Sequence, residues 1–179
     1  AAGVPIVGDI DLFAAEAAPR PIVGITGTNG KSTTTALTHH LLRAAGHPAL
    51  LGGNIGRAVL DLKLGSADET VVLELSSFQL DLCTDLRCRV AAWLNLTPDH
   101  LDRHGGLEGY VTAKERIFRN QGDGDHAVVG IDDAPSRAVA DELAARGRSV
   151  IRVSVDSVPA GGVGVREGRL VDATAGVEA

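Results

Sequence analysis

The run Gly27-Thr28-Asn29-Gly30-Lys31-Ser32-Thr33 combines two glycines, a lysine and three hydroxyls in an order suited to holding phosphate. Glycines let a backbone turn tightly and bring its N–H groups against phosphate oxygens. Lys31 can neutralise β- and γ-phosphate charge, and the Ser32 hydroxyl can ligate Mg²⁺. The general motif places its first glycine five residues before the Gly-Lys pair begins. Ile25 stands at that position, with Gly24 one residue early and Gly27 two residues late. The loop is therefore a shortened variant. Its reading rests on the order of strand, glycine turn, Gly-Lys-Ser and helix, against the alternative of a strand–helix turn with an incidental lysine.

Nucleotide binding alone does not say what the nucleotide is for, and three later features bear on that. Glu74 closes a β-branched run, where a carboxylate at the C-terminal end of a parallel strand faces the ligand crevice of an open α/β sheet. There it could complete a Mg²⁺ shell begun by Ser32, or it could simply cap a helix or face solvent. The stretch 95–104 packs Asn95, Asp99, His100, Asp102, Arg103 and His104 into a single loop. Loops on a rigid scaffold are where binding groups concentrate, although charge-dense loops are often only solvated. Lys114 falls beside the apolar helix face of Leu107, Tyr110, Ile117 and Phe118, where it either snorkels outward or turns into the cleft. Gly52-Gly53-Asn54-Ile55-Gly56 reads as a glycine-rich turn between elements, suited to positive φ or to close approach of a second ligand. His39 and His40 lie within the first helix after the phosphate loop and read as structural or exposed.

These groups need a scaffold that brings them to one edge. Strand patterns at 22–26, 70–75, 90–96, 126–131 and 149–155 alternate with helical patterns at 31–45, 77–86, 107–119 and 134–146. That alternation predicts βαβ units and a P-loop-type, mostly parallel sheet with helices on both faces. A small antiparallel hairpin is expected at 163–171, around Glu167-Gly168. Residues 1–20, broken by Pro19-Arg20-Pro21, read as a connector into the domain. With 179 residues, 44% hydrophobic content and few aromatics, the core must be Ala, Val, Leu and Ile, as in buried parallel sheets. A formal net charge of −6 disfavours general affinity for nucleic acid or anionic membrane. No apolar run reaches the ~20 residues of a spanning helix, and no n-region and h-region resembling a signal peptide are read in the first residues. Cys83 and Cys88 lack the partners of a zinc site and read as packing or surface residues of a cytoplasmic protein. The absence of Met predicts a piece of a longer chain.

Taken together, Gly27 to Thr33, Gly53-Asn54-Ile55-Gly56, Glu74-Leu75-Ser76-Ser77-Phe78-Gln79-Leu80, 95–103 and Lys114 resemble the Mur ligases of peptidoglycan synthesis. Val7-Gly8-Asp9-Ile10-Asp11-Leu12-Phe13 matches that family's passage from its first to its second domain. The Ser-Ser-Phe-Gln-Leu stretch looks most like the members that add D-glutamate to UDP-N-acetylmuramoyl-L-alanine. The resemblance implies an ATP-dependent ligase that acts through an acyl phosphate. Gly27, Thr28, Asn29, Gly30, Lys31, Ser32 and Thr33 would bind ATP. Ser32, Glu74, His100 and Lys114 would hold two Mg²⁺ ions, with Lys114 carbamylated by CO₂. Lys31, His100 and Lys114 would be the catalytic residues, and Gly53, Asn54, Ser76 and Gln79 would bind the muramoyl substrate. It also implies small-molecule partners only and a cytoplasmic monomer. Residues 1–20 would connect from a UDP-binding domain, and 21–179 would form the central ATP-binding domain, truncated at its C-terminal end. Such a piece, lacking the amino-acid-binding domain, would be inactive alone. Another Mur or folylpolyglutamate-type ligase, and a P-loop module without ligase chemistry, stay open as alternatives.

Overall fold

The computed structural model describes residue 3, residues 6–174 and the short strand Val177–Glu178. In chain order the elements are α1 (Asp9–Ala17), β1 (Ile22–Thr26), α2 (Lys31–Ala44), β2 (Ala49–Gly53), β3 (Thr70–Glu74), α3 (Ser77–Leu82), β4 (Val90–Trp93), α4 (Leu101–His104), α5 (Leu107–Glu115), β5 (His126–Gly130), α6 (Ala134–Ala145), β6 (Val150–Ser154), β7 (Val163–Arg166), β8 (Arg169–Asp172) and β9 (Val177–Glu178). They build one sheet of order β2-β3-β1-β4-β5-β6-β7-β8-β9. Pairing is parallel from β2 through β7 and antiparallel from β7 to β9. The predicted α/β architecture and its terminal hairpin are both present. Glu167 and Gly168, both at positive φ, turn the chain between β7 and β8.

Strand order is what assembles the site. β1 lies between β3 and β4, with Ile25 level with Glu74 on one side and Ala92 on the other. The segments that follow these three strands are the phosphate loop, 75–79 and the charged loop 94–100, so neighbouring strand ends deliver three distant stretches to one sheet edge. From β1 the chain crosses outward through α2 to β2, and from β5 it crosses the other way through α6 to β6. Right-handed crossovers therefore set α2 and α6 on opposite faces.

The core is aliphatic where the strands pass through it. Val71, Leu73, Leu75, Leu80, Ala91 and Val129 are fully buried. Its one indole, Trp93, stacks on Phe118 at 6.3 Å and donates from Nε1 to Ser136 Oγ at 2.8 Å. Ser136 passes that bond to Asp133, the N-cap of α6, which also accepts from the Leu96 N–H at 3.0 Å. A buried indole N–H is thus satisfied, and the loop after β4 is pinned from α6 by the same chain of bonds.

Three local expectations are redrawn. The turn expected at 52–56 begins as strand β2, since a Gly-Gly pair carries no side-chain period by which a strand could be read. The helix expected over 77–86 stops at Leu82, because the N–H groups of residues 84–86 turn to Asp11 instead. The helix expected over 107–119 tightens into a 3₁₀ turn at Arg116–Phe118.

Within residues 1–20 the chain forms α1, whose Ile10, Phe13 and Ala17 join the central core cluster. Asp11, 5% exposed, accepts four hydrogen bonds, from the N–H groups of Thr84, Asp85 and Leu86 and from the Thr84 hydroxyl. Burial works against its ionisation, but these donors outweigh that and hold its carboxyl below the usual range. Cys83 and Cys88 are packed in the core as free thiols, and burial pushes both up to about 12. Among the described residues, no helix is long and apolar enough to cross a membrane.

Candidate active site

The phosphate loop leaves β1 at Thr26 and enters α2 at Lys31, with Gly27 and Gly30 at positive φ. Gly30 precedes the helix as its N-cap, so the N–H groups of the first turn of α2, which have no partners within the helix, open at the loop. Lys31 curls back over the turn, its Nζ donating to the carbonyls of Gly27 at 3.1 Å and Thr28 at 2.9 Å. Ser32 and Thr33, the next residues of α2, are exposed.

Beneath the loop lies Lys114. It is 1% exposed, and its Nζ donates to Gly27 O at 2.9 Å and Thr26 Oγ1 at 3.3 Å. The choice left open between snorkelling and the cleft is settled for the cleft. The amine also stands 4.8 Å over the ring of Tyr110. Burial, and secondarily the charge of Lys31, pull its pKa down to about 7, with Asp99 opposing. Burial thus favours the neutral form of this amine.

Glu74 is not solvated: it is 2% exposed at the end of β3. Asn54 Nδ2 donates to its Oε1 at 3.0 Å, while its Oε2 is buried with no hydrogen-bond partner. A buried carboxylate oxygen without a donor is costly unless a cation or proton completes it. Gly53 makes this arrangement possible, since a Cβ there would sit 2.2 Å from the Glu74 carbonyl oxygen. Ser76 and Gln79 form a reciprocal capping box at the start of α3. The Ser-x-x-Gln spacing carries that signal, and it fixes both side chains at the mouth of the site.

His100 sits at positive φ as the N-cap of α4, half exposed, with its ring edge-on to Phe78 at 5.1 Å. His104 completes the aromatic wall, 5.7 Å from Phe78 and 5.5 Å from Tyr110, with Nε2 3.0 Å from Ser77 Oγ. Burial lowers the pKa of His104. Sequence reading named His104 only as part of the charged loop, and did not single out Thr26, Ser77 or the Tyr110 hydroxyl as site groups. The position of Tyr110, one helical turn before Lys114, could have shown that the two share a face.

Lys31, Asn54, Ser76, Gln79, His100 and Lys114 all line a single cavity of about 470 Å³, with Ser77, Phe78, Asp99 and Tyr110. Glu74 abuts it through Asn54. Ser32 lies one residue beyond Lys31 and makes no hydrogen bond to Glu74, His100 or Lys114. Among the described residues, no three His, Cys, Asp or Glu side chains cluster as a metal centre. A cation here would find the partnerless Glu74 oxygen beside a cavity that also holds the Asp99 carboxylate, hydroxyls and the His100 imidazole. A larger cavity of about 560 Å³ opens by Arg20, Arg87, Arg89 and Asp125, but it contains none of these residues. His39 bonds the Ala49 carbonyl at 3.1 Å and stays structural.

Residues 25–165 match the model of the Mur ligase middle domain. A UDP-N-acetylmuramoylalanine–D-glutamate ligase from Rhodospirillum rubrum is 53% identical over 175 residues, 97% of this chain and 37% of that protein. One from Paramagnetospirillum magneticum is 51% identical over 96% of this chain and 38% of its own length. The chain thus spans well under half of these curated relatives. Among solved structures, the UDP-N-acetylmuramate:L-alanyl-gamma-D-glutamyl-meso-diaminopimelate ligase of Neisseria meningitides superposes with a TM-score of 0.68 at 18% identity, covering 94% of this chain and 59% of that one. MurF of Thermotoga maritima, solved with ADP, gives 0.63 at 23% identity over 84% of this chain and 38% of its own. Both likenesses concern the fold alone. With the matched domain spanning most of its length and the site motifs at one sheet edge, the chain belongs to the Mur ligase family.

Proposed function

We propose that this chain is the ATP-binding, phosphoryl-transferring part of a ligase that joins D-glutamate to UDP-N-acetylmuramoyl-L-alanine in peptidoglycan precursor synthesis. One observation carries the reading: six residues nominated from separate motifs line the same cavity, and one of them is a buried lysine whose pKa is near 7. The names of the relatives supply the substrates.

The loop from Gly27 to Thr33 binds the ATP phosphates, with the free N–H groups toward its α2 end facing them, and Lys31 moves from its carbonyl partners to the transferred group. Gly53, Asn54, Ser76 and Gln79 bind the muramoyl nucleotide. The substrate carboxylate attacks the γ-phosphorus in line, the bond to the β,γ-bridging oxygen breaks, and ADP leaves. The amine of D-glutamate then attacks the acyl phosphate, releasing phosphate and a proton as the amide forms. Two Mg²⁺ ions would screen the repulsion between carboxylate and triphosphate. Ser32, Glu74, His100 and Lys114 would hold them. Glu74 Oε2 fits that duty as a hard oxygen donor with no other partner. The neutral Lys114 amine suits carbamylation: nitrogen attacks CO₂, an N–C bond forms as a C–O π bond opens, a proton departs, and the neutral amine becomes an anionic oxygen ligand.

In this reading residues 1–20 lead from a UDP-binding domain, 21–179 form the central domain, and the amino-acid-binding domain lies elsewhere. The whole protein works in the cytoplasm as a monomer on small molecules, and the 179-residue chain alone forms no amide. A crystal structure of the chain grown with Mg²⁺, a non-hydrolysable ATP analogue and bicarbonate tests it. Carbamate density on Lys114 beside a metal on Glu74 is expected. A nucleotide bound with unmodified Lys114 turned to solvent would instead favour a nucleotide-binding module without ligase chemistry.

A further inference from the structure

The phosphate loop is tied along its length to the strand beside it. Pairing between β1 and β4 runs past the ends of both strands, with Leu94 N–H donating to Thr26 O at 3.0 Å and Thr28 N–H to Asn95 O at 3.0 Å. Beyond that point Asn95 continues the ladder with its side chain. Its Oδ1 accepts from the Asn29 N–H at 2.9 Å, and its Nδ2 donates to the Asn29 carbonyl at 3.1 Å. One primary amide thus satisfies both polar groups of one loop residue, as a neighbouring strand would.

A second link closes the same seam. Thr28 Oγ1 donates to Thr97 O at 3.1 Å and accepts from the Thr97 N–H at 3.0 Å. The supporting loop is itself fixed, because Leu96 N–H between these two residues is held by Asp133. Gly27 lets the segments meet, since a Cβ there would fall 3.1 Å from Leu94 Cβ and 3.3 Å from the Asn95 backbone.

This clamp bears on the shortened loop. In it the N–H groups of Thr28 and Asn29 point into the clamp rather than toward an anion. Anion binding therefore falls to the N–H groups at the start of α2. We propose that Asn95 is a positioning residue that holds the phosphate loop in its phosphate-accepting shape, supplying from the β4 side the rigidity that the missing loop residues would otherwise provide. The inference rests on the reading that this loop takes nucleotide phosphate.

The test combines residue-resolved amide exchange with Mg·ADP titration on the chain and on Asn95→Ala and Asn95→Asp. In Asn95→Ala, exchange at Asn29 should accelerate by about tenfold or more, because the Asn95 side chain that accepts its N–H is lost. Exchange at Thr28, whose acceptor is a backbone carbonyl, should change less. Mg·ADP affinity should fall on the order of tenfold, the combined effect of two ordinary hydrogen bonds. The melting midpoint should stay within about 5 °C, as expected for a partly buried loop side chain that loses two hydrogen bonds. Asn95→Asp keeps an acceptor for Asn29 N–H but cannot donate to its carbonyl, so its exchange should lie between the other two. Parent-like exchange at Asn29 in Asn95→Ala overturns the clamp, as does an affinity loss that appears only with global unfolding. If the parent chain binds no Mg·ADP, the nucleotide reading fails, and amide exchange alone decides the clamp.

Discussion

The Lys114 amine rests 2.9 Å from the carbonyl oxygen of Gly27, so a buried lysine stands directly under the phosphate loop. Its pKa, brought from an ordinary lysine value of 10.5 down to about 7, has a signed consequence for stability. Between those values the unfolded chain binds more protons than the folded one, so this group makes stability rise with pH across the window from about 7 to 10.5. Below about 7 both states are protonated and the full penalty applies. Lys114→Met should flatten that rise. Melting curves of the two proteins at matched pH values check it, and parallel curves would show the amine to be unperturbed.

Asp11 ties α1 to the residues after α3 through four hydrogen bonds with no cation involved. Asp11→Ala should destabilise the fold by about 2–4 kcal/mol, since three backbone N–H groups lose their acceptor. Because the folded-state pKa is depressed, the wild-type contribution is present above the ordinary aspartate value of 3.8 and fades as pH falls through the lower folded value. Urea unfolding at neutral and acidic pH should show the gap between the two proteins closing only at the acidic end.

Gly53 and Gly46 both hold positive φ, at 98° and 84°, but only Gly53 has backbone within 4 Å of where a Cβ would be. Gly46→Ala should cost about 1 kcal/mol, the strain of the left-handed conformation alone. Gly53→Ala should cost several times more and displace Glu74. Comparable melting points for the two variants would contradict the close approach of β2 to β3.

Cys83 and Cys88 are 2% and 0% exposed, with thiol pKa values near 12. Neither should react with iodoacetamide at pH 8 in the folded chain, since thiolate and access are both lacking. Mass spectrometry should find two alkylations once denaturant is added and none before.

The scaffold was legible because its signals are local. β-branched runs and helical periods mark β1, α2, β5 and α6 within a residue or so, and Glu167-Gly168 marks the hairpin. The nominated lining residues, Lys31, Asn54, Ser76, Gln79, His100 and Lys114, could be named for a similar reason, since each sits in a segment that follows a strand or faces one. β2 was hidden because Gly52 and Gly53 offer no alternation to read. Helix α3 was drawn too long because apolar spacing runs on to Leu86, while the group that ends it, Asp11, lies 73 residues upstream of Thr84. Asn95 was visible only as part of a polar loop. Its partner is a backbone 66 positions away, and backbone pairing of that kind leaves no trace in residue type.

Helix α1 falls outside the stretch that matches the family model, yet Ile10, Phe13 and Ala17 are part of the same interior as Val71, Leu73 and Trp93. A recombinant piece trimmed to the family match would lose the side chains that close one wall of that interior. It would also strip the acceptor from the loop behind α3, loosening from the rear the helix whose front carries Ser76 and Gln79. For anyone dissecting this protein, the practical cut belongs upstream of Gly8, since Ile6 and Val7 are exposed while Ile10 and Phe13 are already part of the wall.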